Sequence, residues 1–562
     1  MSNYMTSTAN NTSVLRNTGK ALIITLVMLA VVSIQFRVQI LNNFSVLYGD
    51  SYDATIAAVI MEHWFSVFQG NSSWSQLYYF YPYTNTLAQT DGYFLIGVIY
   101  SAIRMFGFDP YLSSEWSNVV VRVIGFFAFY LMCRKMFSFN FWWSVLAAAL
   151  FILSNNLTLH GHRVQLATVG FAPIMALLMF YAYQAFAAGD RNRTLKYGVS
   201  AGIFLGAWSI TCFYITWFFI FFTLFFIATA FLFTPRDFKR NLWQKCKESY
   251  LTLTSILVVA IIAQLPLLSV YLPKAKETGM RSYETAFAYT VPLQGIVQTG
   301  HENILFGELY NKFVKILSPT YAPSGEYYNT GIAPILFLFF LAGAWVAIRR
   351  RKEANSTFLW PAVSIASLIT WLFVLNIGGH SAWFFVYSLV PGAKALNVVG
   401  AYQIFLSIPV ILLAVWYLSK NSSRIPAAVL IVIVGLLGLE ELNRGYIVLI
   451  RADELAKSEV HATPPSTCTS FYVGGWPNQD PNAPANEATS NIYAHNVSAM
   501  LIAEKIRLPT INGMASFNPK DWNFSYPNRP DYEQRIKQYS DAHKLTNVCK
   551  LDLKSKTWSL AW

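Results

Sequence analysis

The sequence predicts an α-helical polytopic membrane protein with about 11 transmembrane helices, additional interfacial helices and a small C-terminal α/β domain. Of its 562 residues, 55% are hydrophobic and only 12% are charged, and the mean hydropathy is +0.39. Soluble domains have about 25% charged residues, so this chain carries too much apolar surface to be hidden in a soluble fold. Apolar runs of about 20 residues, the length that crosses a bilayer, recur along the chain.

The candidate spans begin with residues 21–40, which follow Arg16 and Lys20. This run lacks a small-residue cleavage site, so we interpret it as an uncleaved anchor. Shorter apolar segments at 93–108 and 381–391 are predicted to be interfacial or re-entrant helices. The predicted spans are 21–40, 115–133, 141–153, 166–188, 197–213, 214–233, 250–272, 330–348, 356–375, 398–418 and 425–443.

Loop charges predict the orientation. With the N-terminus in the cytoplasm, every loop on that side is basic, which is the positive-inside pattern. Counting 93–108 as a span would invert this pattern. The net charge of +13 is therefore a topology signal, and we expect no nucleic-acid partner. The predicted location is the bacterial inner membrane. The predicted external loops are 41–114, 154–165, 273–329 and 376–397, together with everything after about 444.

Three regions follow from this topology: a cytoplasmic N-terminus (1–20), a transmembrane module (21–450) and a periplasmic C-terminal domain (451–562). In the last region a helix is predicted within 485–506. Cys468 and Cys549 lie on the oxidising side, where a disulfide is expected and two free buried thiols are the alternative. The predicted strands are Phe471–Val473, Thr510–Asn512, Asn547–Leu553 and Trp558–Leu560.

The first external loop holds the candidate catalytic carboxylate, Asp50, which follows Gly49 directly after the first span. Such a carboxylate can take the proton of an attacking hydroxyl, orient an acceptor or ligate a divalent cation. The alternative is an ordinary turn residue. Asp53 could instead serve as a helix N-terminal residue. The predicted supporting residues around the acceptor are Asp53, Glu62, His63 and Asp91.

A lipid phosphate would need cations on the external face, because charge-assisted bonds to phosphate are strong. The segment 160–163 is the most compact group, although it could be a plain connector with a snorkelling arginine. The 273–329 loop could capture a donor or acceptor, or could be a solvated loop. The predicted phosphate-binding residues are His160, His162, Arg163, Lys274, Arg281 and Lys394.

The sequence contains no motif that identifies a cofactor. It contains no His-Glu-X-X-His, no phosphate-binding Gly-Lys-Thr loop, no Cys-X-X-Cys pair and no dinucleotide-binding glycine pattern. These absences argue against a zinc protease, an ATPase and a Rossmann enzyme. Metal use is left open, and a divalent cation is the only cofactor that the residues suggest.

Three stretches resemble the GT-C superfamily of membrane glycosyltransferases, and in particular its bacterial branch of uncharacterised membrane proteins. They are 49–64 after the first span, 80–91 with its Pro-X-X-Asn-Thr-Leu-Ala sequence, and 154–166 with Gly161-His162 before the fourth span. The tail 497–513 also resembles the periplasmic tail of such proteins. The resemblance thus touches most of the chain, through loose motifs.

The resemblance implies a GT-C fold and an inverting transfer of a sugar from a polyprenyl-phosphate donor to a glycan, lipid-linked or protein acceptor. It also implies an essential aspartate in the first external loop, where Asp50 is the matching residue. This sequence departs from the superfamily near the penultimate spans. Relatives often have arginines after a Pro-Gly, whereas Lys394 is the only cation between Pro391-Gly392 and Tyr402 here.

Two other classes of membrane protein are alternatives. A transporter or flippase of a lipid-linked glycan would bury charges near the bilayer centre, but almost every ionisable residue here lies in a loop or at a helix end. An O-antigen-ligase-like or acyltransferase-like enzyme would work in one large external loop, and the early Asp50 and the polar C-terminal tail fit it less well.

Overall fold

The structure, a computed structural model, describes residues 2–321, 330–350, 358–475, 494–527 and 529–562. Its α-helices are α1 Ser2–Gln35, α2 Arg37–Leu41, α3 Asp53–Phe68, α4 Phe94–Arg104, α5 Pro110–Lys135, α6 Phe141–Leu153, α7 Asn155–Leu159, α8 Ala172–Ala187, α9 Arg191–Thr211, α10 Phe213–Phe233, α11 Arg236–Glu248, α12 Tyr250–Thr278, α13 Tyr283–Phe287, α14 Gly307–Leu317, α15 Pro334–Arg349, α16 Leu359–Val374, α17 Trp383–Leu389, α18 Tyr402–Asn421, α19 Ala427–Leu439, α20 Arg451–Lys457, α21 Ala494–Ile506 and α22 Tyr532–Ala542. Short 3₁₀ segments lie at Thr86–Gln89, Val164–Phe171, Leu293–Val297, Ala393–Ala395, Val399–Ala401 and Ser422–Arg424.

Seven helical segments among the described residues are long and apolar enough to cross a bilayer, and each coincides with a predicted span. They are Thr18–Gln35, Pro110–Lys135, Phe141–Leu159, Val164–Ala187, Phe213–Phe233, Tyr250–Thr278 and Val399–Arg424. The predicted polytopic α-helical class is confirmed. The other four predicted spans coincide with α9, α15, α16 and α19. Because α15 and α16 have 16 residues and α19 has 13, the count of eleven stays a prediction.

Close helix packing is achieved by glycines on α9. Gly198, Gly202 and Gly206 repeat every four residues and face α12. A Cβ at Gly206 would lie 2.3 Å from the carbonyl oxygen of Ala263, so only glycine permits this approach. Small residues at this spacing allow helices to pack backbone to backbone in membranes. The central helix is α18, in which every residue from Tyr402 to Val415 is buried.

A two-stranded antiparallel sheet joins the first external loop to the chain that follows α19. Strand β1 (Val46–Tyr48) pairs with β4 (Val448–Ile450), with Leu47 opposite Leu449. A second short sheet pairs β2 (Val291–Pro292) with β3 (Leu375–Asn376) in parallel. Both sheets hold loops that are far apart in sequence against one end of the helix bundle.

The C-terminal region contains a three-stranded sheet in the order β5 (Ser470–Gly474), β6 (Val548–Asp552), β7 (Thr557–Leu560). β5 and β6 are parallel, and β6 and β7 are antiparallel. A disulfide links Cys468, just before β5, to Cys549 in β6, with the Cα atoms 5.7 Å apart. Helix α21 occupies the later part of the predicted 485–506 helix, and residues 485–493 lie outside the described residues.

The prediction of a strand at Thr510–Asn512 is wrong. This segment forms a single bridge with Phe471, because its backbone is shared between β5 and the first external loop. The amide of Ile511 donates to Phe471 O (2.8 Å), whereas the amide of Thr510 donates to Tyr78 O (2.7 Å). The segment therefore connects β5 of the C-terminal region to the external loop that carries Asp50 through backbone hydrogen bonds.

Candidate active site

The backbone around Asp50 is fixed by the β1–β4 sheet. The amide of Gly49 donates to Ile447 O (3.0 Å), and Gly49 has a φ of +149°. A Cβ at this position would lie 2.5 Å from Ala54 Cβ and 2.6 Å from Leu449 Cδ2. Glycine is thus required both by its conformation and by its surroundings. The tight turn at Gly49 presents Asp50 between the end of β1 and the start of α3.

The Asp50 carboxylate caps the turn that leads into α3. Its Oδ1 accepts the amides of Tyr52 (2.9 Å) and Ala54 (3.4 Å), and the side chain is half-buried. Burial raises the pKa of Asp50 above its usual value, and the nearby charge of Asp53 raises it further. The backbone amides act in the opposite direction. A carboxylate with a raised pKa is a better proton acceptor once it is ionised.

Asp53, the first residue of α3, reaches the loop between α6 and α8. Its Oδ2 lies 2.7 Å from Arg163 Nε, and both side chains are partly exposed. His162, the residue before Arg163, is 7% exposed. One ligand atom from each of Asp50, Asp53 and His162 lies within 4.8 Å of the others. Two loops more than one hundred residues apart thus converge on one cluster, which we call the acidic cluster (Asp50, Asp53, His162).

The loop at 160–163 is held rigidly by its neighbours. Asn118 on α5 donates its side-chain amide to Gly161 O (2.9 Å). A Cβ on Gly161 would lie 3.0 Å from the ring of Tyr48, so glycine lets β1 approach the loop. His160 Nδ1 lies 2.8 Å from Asn156 O, and its ring stacks 6.1 Å from that of His162. The backbone before His162 is therefore fixed at Gly161, and the His162 ring lies against that of His160.

The acidic cluster fits a divalent cation by the chemistry of its donors. Two carboxylates and one imidazole are the ligand types that bind first-row divalent metals. Arg163 already neutralises part of the charge on Asp53. A bound cation would therefore interact fully with the Asp50 carboxylate, whereas the Asp53 carboxylate would be shared between the cation and Arg163. Asp50, Asp53 and His162 are the residues that would hold it.

Residues from α20 line the same turn, although no sequence motif indicates them. Ser51 Oγ donates to Glu454 Oε1 (2.7 Å), and Lys457 Nζ lies 3.0 Å from Ser51 Oγ. Both Glu454 and Lys457 are about 400 residues away in sequence. Only the pairing of β1 with β4 brings them next to Asp50, and short strands of three residues leave no periodic signal.

Comparisons with known proteins identify the fold. The sequence matches no protein-family model and no curated protein. The crystal structure of the oligosaccharyltransferase of Archaeoglobus fulgidus in the apo form is similar with a TM-score of 0.50 and 14% identity, over 94% of this chain and 69% of that chain. This chain has the GT-C fold. A crystal structure of ArnT from Cupriavidus metallidurans bound to undecaprenyl phosphate has a TM-score of 0.38 and 13% identity, over 95% of this chain and 93% of that chain.

Two of the predicted supporting residues, Glu62 and His63, make packing contacts away from the acidic cluster. Glu62 accepts Arg104 Nε (3.0 Å) and the hydroxyl of Tyr100 (2.5 Å). His63 Nδ1 lies 3.4 Å from Glu504 Oε2, with both side chains fully buried. These contacts fasten α3 to α4 and α21, so Glu62 and His63 position the helix that begins at Asp53.

Asp91, which lies shortly before α4, contacts the first residue of α10. Its Oδ1 accepts the amide of Phe213 (2.9 Å), and burial raises its pKa to about 6. Burial also raises the pKa of Tyr93, and Asp91 and Asp53 raise it further, whereas Arg163 lowers it.

The predicted phosphate-binding cations Lys274, Arg281 and Lys394 lie in separate places. Lys274 is 3% exposed and pairs with Glu277 (2.9 Å), so its positive charge is already balanced by a carboxylate. Arg281 and Lys394 are neighbours: the amide of Arg281 donates to Lys394 O (3.1 Å). Tyr387 lies between them, with its hydroxyl donating to Arg281 O (2.7 Å) and its ring 5.5 Å from Lys394 Nζ.

Proposed function

We propose that this chain is a membrane glycosyltransferase that moves a sugar from a polyprenyl-phosphate-linked donor to an acceptor on the external face of the membrane. The acceptor class is a glycan, a lipid-linked glycan or a protein. The observation that carries the proposal is the convergence of Asp50, Asp53 and His162, next to Arg163, within a GT-C fold. A carboxylate beside a cation suits a reaction in which a hydroxyl loses a proton and a phosphate departs.

In the proposed reaction Asp50 accepts the proton of the attacking hydroxyl. The hydroxyl oxygen forms a bond to the anomeric carbon on the face opposite the leaving group, and the bond from that carbon to the lipid phosphate oxygen breaks. The phosphate leaves with the electron pair and the anomeric configuration inverts. The raised pKa of Asp50 supports this role, because a base is most effective when its pKa approaches the working pH.

A divalent cation belongs to this proposal as a ligand of the acidic cluster. When bound, it would neutralise charge on the departing phosphate, which is the usual contribution of such ions in group transfer. The residues of the site fix the two carboxylates in place. Arg163 pairs with Asp53, and the amides of Tyr52 and Ala54 donate to Asp50. A chelator is expected to abolish transfer, and added Mn²⁺ or Mg²⁺ is expected to restore it. Unchanged transfer in the presence of the chelator would show that no cation is required.

Arg281 and Lys394 are the proposed contacts to the donor phosphate. Lys394 is the only cation between Pro391 and Tyr402, and the backbone bond from Arg281 to Lys394 O brings a second basic residue to that segment. The Arg281 guanidinium itself donates to Ser516 O and lies 4.8 Å from the centre of the Phe517 ring. Two neighbouring cations favour a phosphate more strongly than one. Arg281→Ala and Lys394→Ala are expected to raise the KM for the lipid donor, with kcat affected less.

The deciding experiment measures transfer of a radiolabelled sugar by the purified chain from a panel of polyprenyl-phosphate sugars. Asp50→Asn is expected to abolish transfer with the same melting temperature and elution volume. The matched control is Asp541→Asn on α22, an exposed carboxylate in the C-terminal region. Retained transfer by Asp50→Asn would exclude Asp50 as the base.

The orientation is tested separately, because it is also a proposal. Single cysteines introduced at exposed positions such as Asn71 and Arg240 report the side of the membrane through labelling by an impermeant maleimide. Asn71 is expected to label from the periplasm and Arg240 only after lysis. The reverse pattern would place Asp50 in the cytoplasm.

A further inference from the structure

Helix α14 has three distinct faces. At about 100° per residue, Gly307 and Val314 fall on one side and are buried against the protein. The charged residues Glu308, Lys312 and Lys315 fall on a second side and are exposed. A third side carries only large apolar residues, and we call it the apolar face of α14. Its members and their exposed fractions are Leu309 (61%), Phe313 (58%), Ile316 (77%) and Leu317 (66%).

A water-facing helix would not keep four large apolar side chains more than half exposed on one side. Large apolar side chains are unfavourable in water, because burying apolar surface away from water lowers the free energy. The segregation of charge and apolar surface around a single helix is typical of helices that lie in a membrane interface. Something apolar therefore covers this face.

The position of α14 indicates what that covering is. The segment before the helix is bonded to the chain at the end of α19: the amide of Ile304 donates to Leu442 O (3.1 Å), and the amide of Arg444 donates to Glu302 O (3.0 Å). Helix α19 is itself apolar and exposes Ile431 (72%) and Val432 (59%). Leu439, the last residue of α19, is 44% exposed, so the exposed apolar surface of α19 continues to its end, and the segment that leads into α14 is bonded just beyond it.

The charged face of α14 also favours a membrane interface. Lys312 and Lys315 lie beside the apolar face on the same helix, and lysines at this boundary reach the headgroup phosphates while the apolar residues enter the acyl chains. Glu308 pairs with Lys312 (3.6 Å), which keeps this face polar along its first turn. A helix with these three faces fits a boundary among protein, lipid and water.

We propose that α14 lies in the lipid interface on the side of the bilayer where α19 ends, with Leu309, Phe313, Ile316 and Leu317 among the acyl chains. The helix thereby anchors the segment from 279 to 321 to the membrane surface. This inference does not depend on the proposed glycosyl transfer. It assigns the apolar face to phospholipid rather than to another protein.

The test uses nitroxide labels on single cysteines in the full chain, reconstituted in vesicles of phosphatidylethanolamine and phosphatidylglycerol. The background carries Cys246→Ser and keeps the buried Cys133 and Cys212. Leu309→Cys, Phe313→Cys and Ile316→Cys probe the apolar face. Glu308→Cys, Lys312→Cys and Lys315→Cys on the same helix are the matched controls. All six positions are exposed, so the labels are accommodated without repacking.

The measured quantity is the collision rate of each label with molecular oxygen relative to a water-soluble nickel chelate. The proposal predicts a ratio above one at 309, 313 and 316 and below one at 308, 312 and 315. Nickel access at all six positions would show that the helix lies in water and would overturn the proposal. Low access of both reagents at 309, 313 and 316 would also overturn it, because a protein partner would then cover the face.

Discussion

Arg163 Nε lies 2.7 Å from Asp53 Oδ2, and this ion pair joins the first external loop to the loop between α6 and α8. A partly exposed pair of this kind contributes at most about 1 kcal/mol to stability. Its importance is electrostatic, since it keeps Asp53 from adding its full negative charge to Asp50. The pair therefore sets the charge of the acidic cluster.

We expect Arg163→Ala to reduce sugar transfer by about 100-fold, the scale seen when one charge-stabilising group is removed from an active site. The loss should appear in kcat with little change in melting temperature. Arg535→Ala is the matched control, because Arg535 pairs with Asp531 at the same 2.7 Å and with similar exposure. Equal activity in the two variants would contradict a role for Arg163.

The pH dependence of transfer follows from Asp50. Its pKa in the fold lies above the ordinary 3.8, and only the ionised form can accept a proton. Transfer should therefore fall as the pH drops through this raised value. Asp53→Asn removes the neighbouring charge that raises the pKa of Asp50, so the acid limb of kcat should move to lower pH. An acid limb that stays in place would show that another group titrates.

Asp91 predicts a pH dependence of stability. Its pKa rises from 3.8 to about 6 in the fold, so the folded state binds more protons than the unfolded state between these values. Stability should then fall as the pH rises from about 4 to about 6, by on the order of 3 kcal/mol. Asp91→Asn keeps a carbonyl oxygen for the amide of Phe213 and should flatten this part of the melting curve against pH. Asp541→Asn should leave it unchanged.

Gly49→Ala tests whether the turn before Asp50 needs glycine. Both the positive φ and the contacts with Ala54 and Leu449 oppose a side chain, and we expect a loss of about 1–3 kcal/mol together with lower transfer. Gly70→Ala separates the two causes, because Gly70 also has a positive φ (+77°) but has no atom within 4 Å of the added Cβ. Similar melting temperatures for the two variants would mean that the contacts are unimportant.

The disulfide should stabilise the C-terminal region. Cys468 and Cys549 are 81 residues apart, and closing a loop of this length stabilises by about 4 kcal/mol in the chain-entropy model. Cys468→Ser with Cys549→Ser should make residues beyond 451 more sensitive to limited proteolysis. Cys246→Ser, a change at a half-buried free thiol, should not. Equal sensitivity would remove the disulfide as a source of stability.

The sequence predicted the membrane class well, because hydropathy is a local property and each long apolar helix is visible as a continuous run. It also located Asp50, Asp53, His162 and Arg163, whose loops follow directly from the span boundaries. The roles of Glu62 and His63 could not be predicted from the sequence. Their packing against Arg104 and Glu504 depends on contacts across the fold, which spacing along the chain does not encode. Glu454 and Lys457 were missed for the same reason.

The short sheet between β1 and β4 has a consequence for biosynthesis. Ser51 bonds to Glu454 across 403 residues, and Gly49 bonds to Ile447. The turn that presents Asp50 therefore stays unfinished until the ribosome has made the last apolar helix and the strand after it. A nascent chain that stops earlier can insert its spans but cannot complete the turn that carries Asp50, so the proposed transfer would require the chain to be made through β4.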